Sequence, residues 1–314
     1  LEMKFMARLV KALPGPARTN GFVNTTPGIF AAINLSGGKG TTLAGRALDK
    51  RGGGGDTNFG VILTKDKPVI IDNDIRVRKE FTSGLKKITR KSPGLMLHTH
   101  HNFDHTSDNA YFHKQGTISF GTDIVRREME REFNAGIWVS QMAGRLLKVE
   151  HFDGKIGIET PRVTFDDEIT IRYGGRTFQM ISIGHCHTKS DTVIWMPEEK
   201  VLFAGDAFTY RTQPVVRIGN ILNWIDTLDR LKKFPARQII PGHGPIPPRG
   251  NKCLDEFKIY LTRLRDRTAR ALKKTGTPVK AAKLVRMDEY RNWFRAPLVY
   301  VNALKMAKEL KGKI

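Results

Sequence analysis

From residue 58 onward the chain alternates short apolar runs, turn residues and longer stretches of helical spacing. Asn58-Phe-Gly-Val-Ile-Leu63 and Val69-Ile-Ile71 flank the turn-like Lys65-Asp-Lys-Pro68 and predict a hairpin. Residues 78–90 show mixed helical spacing, and Leu95-Met-Leu97 is another short strand. Residues 122–150 predict a helix that carries Trp138 and Met142. Residues 162–183 alternate as strands around the turn Gly174-Gly175. Val193-Ile-Trp195 and Val201-Leu-Phe203 follow as strands on either side of Pro197-Glu-Glu-Lys200. A helical pattern covers 221–233, Arg237-Gln-Ile-Ile240 reads as a strand, and 252–274 and 297–311 read as amphipathic helices. Strands interleaved with helices predict an α/β layered domain.

No linker splits the 314 residues. Residues 1–55 are expected to form an N-terminal extension and glycine-rich loop leading into one folded domain over 56–314. The fragment GGKGTT in that loop invites a phosphate-binding reading, which fails. Gly40 rather than Ser or Thr follows Lys39, and Ile33 stands where the first glycine belongs. The apolar stretch near the start is broken by Lys4, Arg8 and Lys11, too charged for a secretory core. No run of apolar residues is long enough to predict a membrane span. Two cysteines, Cys186 and Cys253, make no disulfide framework and point to a reduced compartment, by default the cytoplasm. The net charge is +22, and residues 251–314 hold 17 basic and 6 acidic residues, half of that excess. Such a tail suits nucleic acid or an anionic surface, but no zinc knuckle or basic–aromatic repeat accompanies it. A solvated helical face is the simpler reading.

The chemistry concentrates in His98-Thr-His-His-Asn-Phe-Asp-His105, which holds four of the nine histidines and an aspartate. Neutral imidazole and carboxylate are ligands for zinc, iron or manganese. The cluster directly follows a predicted strand, where a loop can aim several side chains at one point. Three further candidates stand at strand ends: His187 in GHCHTKSD, Asp206 in LFAGDAF and His243 in IIPGHGP.

Taken together and in this order, these segments resemble the metallo-β-lactamase superfamily. THHNFDHTSDN resembles its HxHxDH motif, GHCHTKSDTVIWMPEEKVLFAGD its third-histidine strand and bridging-aspartate turn, and PGHG its last ligand turn. The resemblance covers roughly residues 57–310. It implies a four-layer αββα sandwich with two metal ions at one edge, zinc first and iron or manganese as alternatives. His100 and His187 would serve the first ion, Asp104, His105 and His243 the second, with Asp206 bridging. Asp72, after Val69-Ile-Ile71, resembles a strand-end aspartate that supports the ligand loop. One position departs: the family's second histidine falls at 102, where this chain has Asn102. Asn102 stays in the candidate ligand set, but a neutral amide oxygen does not match imidazole, so the first site is expected to be the weaker. Two alternatives stay open, His98 with His100 as the histidine pair, and His101 filling the gap.

The resemblance implies a metallo-hydrolase in which a metal-bound hydroxide attacks a small ester, lactone, thioester or β-lactam-type substrate, with Asp104 orienting the nucleophile or carrying its proton. Three other readings remain at this point. They are a nuclease or phosphodiesterase motivated by the basic charge, an iron-dependent redox relative, and a catalytically silent relative that binds a ligand. A small-molecule partner is favoured over nucleic acid, and no membrane partner is expected.

Overall fold

The strands sort their side chains with period two, and this sorting builds the layers. The computed structural model describes residues 21–33, 35, 42–43, 46–47, 57–138 and 157–312. The first sheet holds seven strands in sequential order: β1 (Gly21–Thr26), β2 (Ile29–Ile33), β3 (Phe59–Ile62), β4 (Val69–Ile71), β5 (Leu95–Leu97), β6 (Ile118–Thr122) and β7 (Val163–Phe165). Pairing is antiparallel from β1 to β4 and parallel from β4 to β7. The second sheet holds β8 (Glu168–Tyr173), β9 (Arg176–Gly184), β10 (Asp191–Met196), β11 (Val201–Phe203) and β12 (Gln238–Ile240), with only the last pair parallel. The α-helices among the described residues are α1 (Arg78–Ile88), α2 (Phe103–Thr106), α3 (Asn109–His113), α4 (Asp123–Asn134), α5 (Ile221–Leu231), α6 (Lys252–Thr275), α7 (Pro278–Leu284) and α8 (Val299–Leu310).

Alternation decides which layer each side chain joins. Val69, Ile71, Leu95 and Leu97 meet Ile194, Met196, Val201 and Phe203 in the core between the sheets. Their neighbours Ile70 and Met96 face the other way, onto Phe81 and Leu85 of α1 and Phe112 of α3. On the second sheet, Val193, Trp195, Leu202 and Ile239 turn outward onto α5, α6 and α8. Each fully buried apolar side chain of this size contributes roughly 1.5–3 kcal/mol. Strands with both faces covered read as unbroken apolar runs, which is why β4, β5 and β11 are legible in the sequence. The result is the αββα sandwich, with two mixed sheets face to face and helices on both outer surfaces.

The sheet begins earlier than residue 56, where the folded domain was expected to start. β1 and β2 complete its edge, and Ile29, Ala31 and Ile33 point into the inter-sheet core. Of the glycine-rich loop, the structure describes a two-residue pairing of Thr42–Leu43 with Arg46–Ala47; most of the rest lies outside the described residues. The helix expected over 122–150 runs from Asp123 to Asn134 and is interrupted at Gly136, whose φ of +67 is a left-handed conformation; helical backbone resumes at 137–138, and 139–150 lie outside the described residues. Met142 and His151 lie outside the described residues. The run read as one strand from Val163 to Tyr173 is two strands, and the chain changes sheet at Asp166-Asp167. Both cysteines are buried and free. Among the described residues no helix is long and apolar enough to cross a membrane.

The last helix is fastened by charge. Glu309 of α8 is buried, and its carboxylate accepts from the backbone N–H of Ile221 at 2.9 Å and of Leu222 at 3.2 Å, the open donors at the start of α5. Asn220 caps the same terminus by accepting from Asn223 N–H. Replacing Glu309 with Ala removes a charge-assisted pair of hydrogen bonds and is expected to lower stability by about 1.5–3 kcal/mol, read as a shift in the urea midpoint. A shift below about 0.5 kcal/mol, the range of an ordinary surface change, would show that the cap contributes little.

Candidate metal centre

Strands from both sheets end at one edge, and each ending releases a polar side chain there. Asp72 follows β4, His98 to His105 follow β5, His187 lies between β9 and β10, Asp206 follows β11, and His243 follows β12. Two groups of donors form. Ligand atoms of His100, His187 and Asp206 lie within 4.8 Å of one another, as do those of Asp104, His105 and His243. The groups adjoin through Asp206, whose Oδ2 is 3.4 Å from His187 Nε2 and 3.2 Å from His243 Nε2, and whose Oδ1 is 3.4 Å from His105 Nε2. Asn102 joins the first group, with Nδ2 2.8 Å from His187 Nε2. All seven predicted residues are thereby brought together. Asp104 is the most open of the six ionisable members, its side chain 28% exposed.

The two alternative histidines go elsewhere. His101 turns away from its neighbour, with Nδ1 2.7 Å from Ser190 Oγ and Nε2 3.7 Å from Glu132 Oε1 of α4. His98 sits fully buried with Nδ1 3.8 Å from Asp72 Oδ1. His185 donates to the carbonyl of Ile218, and His113 lies between Glu159 and Ser119. Trp138 packs edge-on against Phe103 inside the ligand loop, a packing role.

One carboxylate orients donors of both groups. Asp72 adopts φ +58, which turns its side chain back under the loop. Its Oδ1 accepts from Thr99 N–H at 2.8 Å, and its Oδ2 accepts from Thr99 Oγ1 at 2.6 Å and faces His105 Nδ1 at 2.8 Å. Thr99 Oγ1 in turn stands 3.1 Å from His100 Nδ1. Both histidines are thus fixed through Nδ1 and keep Nε2 for the cluster, the arrangement usual for metal-ligating imidazoles. Backbone packing is equally tight. A Cβ on Gly242 would lie 2.1 Å from Asp206 Oδ1, and one on Gly205 2.6 Å from Thr99 Cβ, so glycine is required at both turns.

Electrostatics favours a cation here. Burial raises the carboxyls of Asp206 and Asp104, but the neighbouring histidines outweigh it and hold both well below the usual range. Burial and the charges of adjacent histidines lower His100, and burial takes His187 down to about 4, so both rings are neutral with lone pairs to give. His105 is pulled the other way: burial lowers it, but Asp206, Asp72 and Asp104 raise it further. Buried carboxylates of this density require compensating positive charge. His100 Nε2, His105 Nε2, Asp206 Oδ1 and Asn102 Oδ1 are all buried without a hydrogen-bond partner among the described residues. Buried polar atoms are otherwise almost always paired, so the donor set fits divalent transition ions.

Several supporting residues carry no signal in the sequence. Thr57 Oγ1 donates to Asp104 Oδ2 at 3.0 Å, and Asn58 Nδ2 clamps the His243 turn through the carbonyls of Pro241 and Gly244. Asp191, inside the quoted GHCHTKSD segment, accepts from the backbone of His187 at 2.6 Å and of Thr188 at 3.0 Å. Arg295 arrives from the C-terminal segment, with Nη2 3.2 Å from His243 Nδ1.

The sequence profile of the metallo-beta-lactamase superfamily matches residues 52–243, more than half of the chain, and the chain belongs to that superfamily. A type 2 metallo-beta-lactamase of Bacteroides fragilis is 36% identical over 95 residues, 28% of this chain and 37% of its own. A linear primary-alkylsulfatase from a Pseudomonas species is 25% identical over 183 residues, 55% of this chain and 32% of its own. The chain thus spans about a third of the length of these curated relatives. Among solved structures, a metallo-beta-lactamase from Pontibacter korlensis aligns with TM-score 0.58 at 17% identity, covering 78% of this chain and 99% of its own. A stereoselective inverting sec-alkylsulfatase from a Pseudomonas species aligns with TM-score 0.68 at 14% identity, covering 94% of this chain and 51% of its own. At these identities the structural likeness establishes the fold.

Asp72→Ala removes the shared anchor of Thr99 and His105. Zinc affinity is expected to fall about 10–100-fold, measured by competition with a chromogenic chelator. Affinity equal to that of the unaltered chain would mean that His105 is held by packing alone.

Proposed function

We propose that this chain is a metal-dependent hydrolase of a small ester, lactone, thioester or β-lactam-type substrate, working at a two-ion centre most compatible with zinc. The observation that carries the reading is the convergence of two donor groups around Asp206, with partnerless buried atoms on both sides. His100, His187 and Asn102 would hold one ion, Asp104, His105 and His243 the other, with Asp206 between them. Ions bound there would supply a Lewis acid for the scissile bond and lower the pKa of water from about 15.7 towards roughly 7.

The chain's own residues supply position and proton handling. Thr57 fixes one oxygen of Asp104, and the partial exposure of that carboxylate leaves it able to orient attacking water and accept its proton. The proton then passes to the leaving atom. Neutral His100 and His187 keep the first half of the centre free of charge repulsion. The names of the relatives, a β-lactamase and an alkylsulfatase, support hydrolysis and leave the scissile bond to be identified by assay.

The test is turnover across a panel of ester, lactone, thioester, β-lactam and alkyl sulfate substrates, before and after chelation and zinc reloading. Hydrolysis of at least one class, lost on chelation and restored by zinc, is expected. No turnover in the zinc-loaded protein across the panel would sink the reading. Asp104→Ala is expected to lower kcat by roughly 10²–10⁴ with the circular dichroism spectrum unchanged. Near-normal turnover would remove Asp104 from the reaction.

A further inference from the structure

Asn102 stands immediately before α2, in the position from which an asparagine oxygen ordinarily turns back onto a backbone N–H of the first turn. It makes no such bond. The side chain points instead into the first donor group, where Nδ2 lies 2.8 Å from His187 Nε2 and Oδ1 is buried without a partner. His187 Nε2 is also the ring atom that faces Asp206. One lone pair cannot serve an amide N–H and a metal ion together. Reversing the amide does not free it, since Oδ1 would then accept from a protonated Nε2. In the second group the comparable contact falls on a carboxylate, Thr57 Oγ1 donating to Asp104 Oδ2 at 3.0 Å, and a carboxylate oxygen keeps a further lone pair where an imidazole nitrogen has none; His105 Nε2 is buried without a hydrogen-bond partner among the described residues.

We propose that Asn102 is a latch on the first half of the centre. The amide engages His187 Nε2, and an ion is held in this half only when the amide turns over and offers Oδ1. The inference rests on the metal-centre reading above and adds an order to it. The group of Asp104, His105 and His243 fills first and tightly. The group of His100 and His187 fills second, more weakly, because the ion displaces a hydrogen bond and gains a neutral amide oxygen as ligand. The α2 terminus loses nothing when Asn102 is replaced, since the side chain does not cap it.

Calorimetric titration of zinc into the metal-free full chain, with cobalt absorption spectra as a second reading, tests this without any activity assay. The unaltered chain is expected to take two equivalents, the second about 10–100-fold weaker than the first. Asn102→His and Asn102→Asp both remove the amide N–H and add a stronger ligand. In either, the gap is expected to close to within a factor of about three, as strong nitrogen or oxygen donors replace a weak one. Asn102→Asp keeps the original shape and guards against misfolding of the histidine variant, with thermal unfolding of both as the check. Two equivalents of equal affinity in the unaltered chain would overturn the latch, as would a gap that neither substitution narrows. A chain that binds no zinc at all would remove the metal-centre reading itself.

Discussion

The centre hangs on one buried carboxylate. Asp72 holds the 98–105 loop by its backbone at Thr99 and fixes His105 directly and His100 through the Thr99 hydroxyl. One side chain therefore sets the orientation of a histidine in each donor group. Burial alone would push this carboxyl up, but His105 and His98 beside it hold it well below the usual carboxylate range. An anion that stays ionised in the interior needs such partners, and the loop geometry supplies them. The surrounding sheet serves this arrangement. β4 and β5 run parallel, so Asp72 and the loop after Leu97 leave the sheet at the same end.

Much of this was legible in the chain itself. Ligand spacing is a local property, so the loop after β5 and the turns at Asp206 and His243 announce themselves as motifs. Buried strands read clearly where both faces are covered. Legibility fails where structure depends on distant contact. β1 lacks an apolar run and becomes a strand by pairing with β2; Ile29-Phe-Ala-Ala-Ile33 of β2 is an unbroken apolar run that length alone does not assign to strand or helix, and it is a strand because β3 offers an edge and the core accepts Ile29 and Ile33. The change of sheet at Asp166-Asp167 leaves alternation intact on both sides, so periodicity cannot mark it. Thr57, Asn58 and Arg295 reach the centre from far along the chain, with no motif around them.

The two open questions about the histidine loop are answered by direction. In an irregular loop successive side chains diverge, and His101 leaves His100 to meet Ser190 and Glu132. That contact ties α4 to the ligand loop from the outside, and the guanidinium groups of Arg131 and Arg217 face the same carboxylate. The four imidazoles of the centre also differ in what meets their outer nitrogen. His105 meets a carboxylate, His100 a hydroxyl and His243 a guanidinium, while His187 Nδ1 meets no hydrogen-bond partner among the described residues. The support that orients each ring therefore differs from one imidazole to the next.

The attachment of the C-terminal segment has a consequence for biosynthesis. Phe294 pairs with the backbone of Arg211 and Gln213, Arg295 reaches His243, and Glu309 closes the start of α5. A nascent chain displays Asp72 and the histidine loop long before those residues leave the ribosome. Any ion affinity of the centre would therefore rise only as this segment packs, so that binding and folding strengthen together.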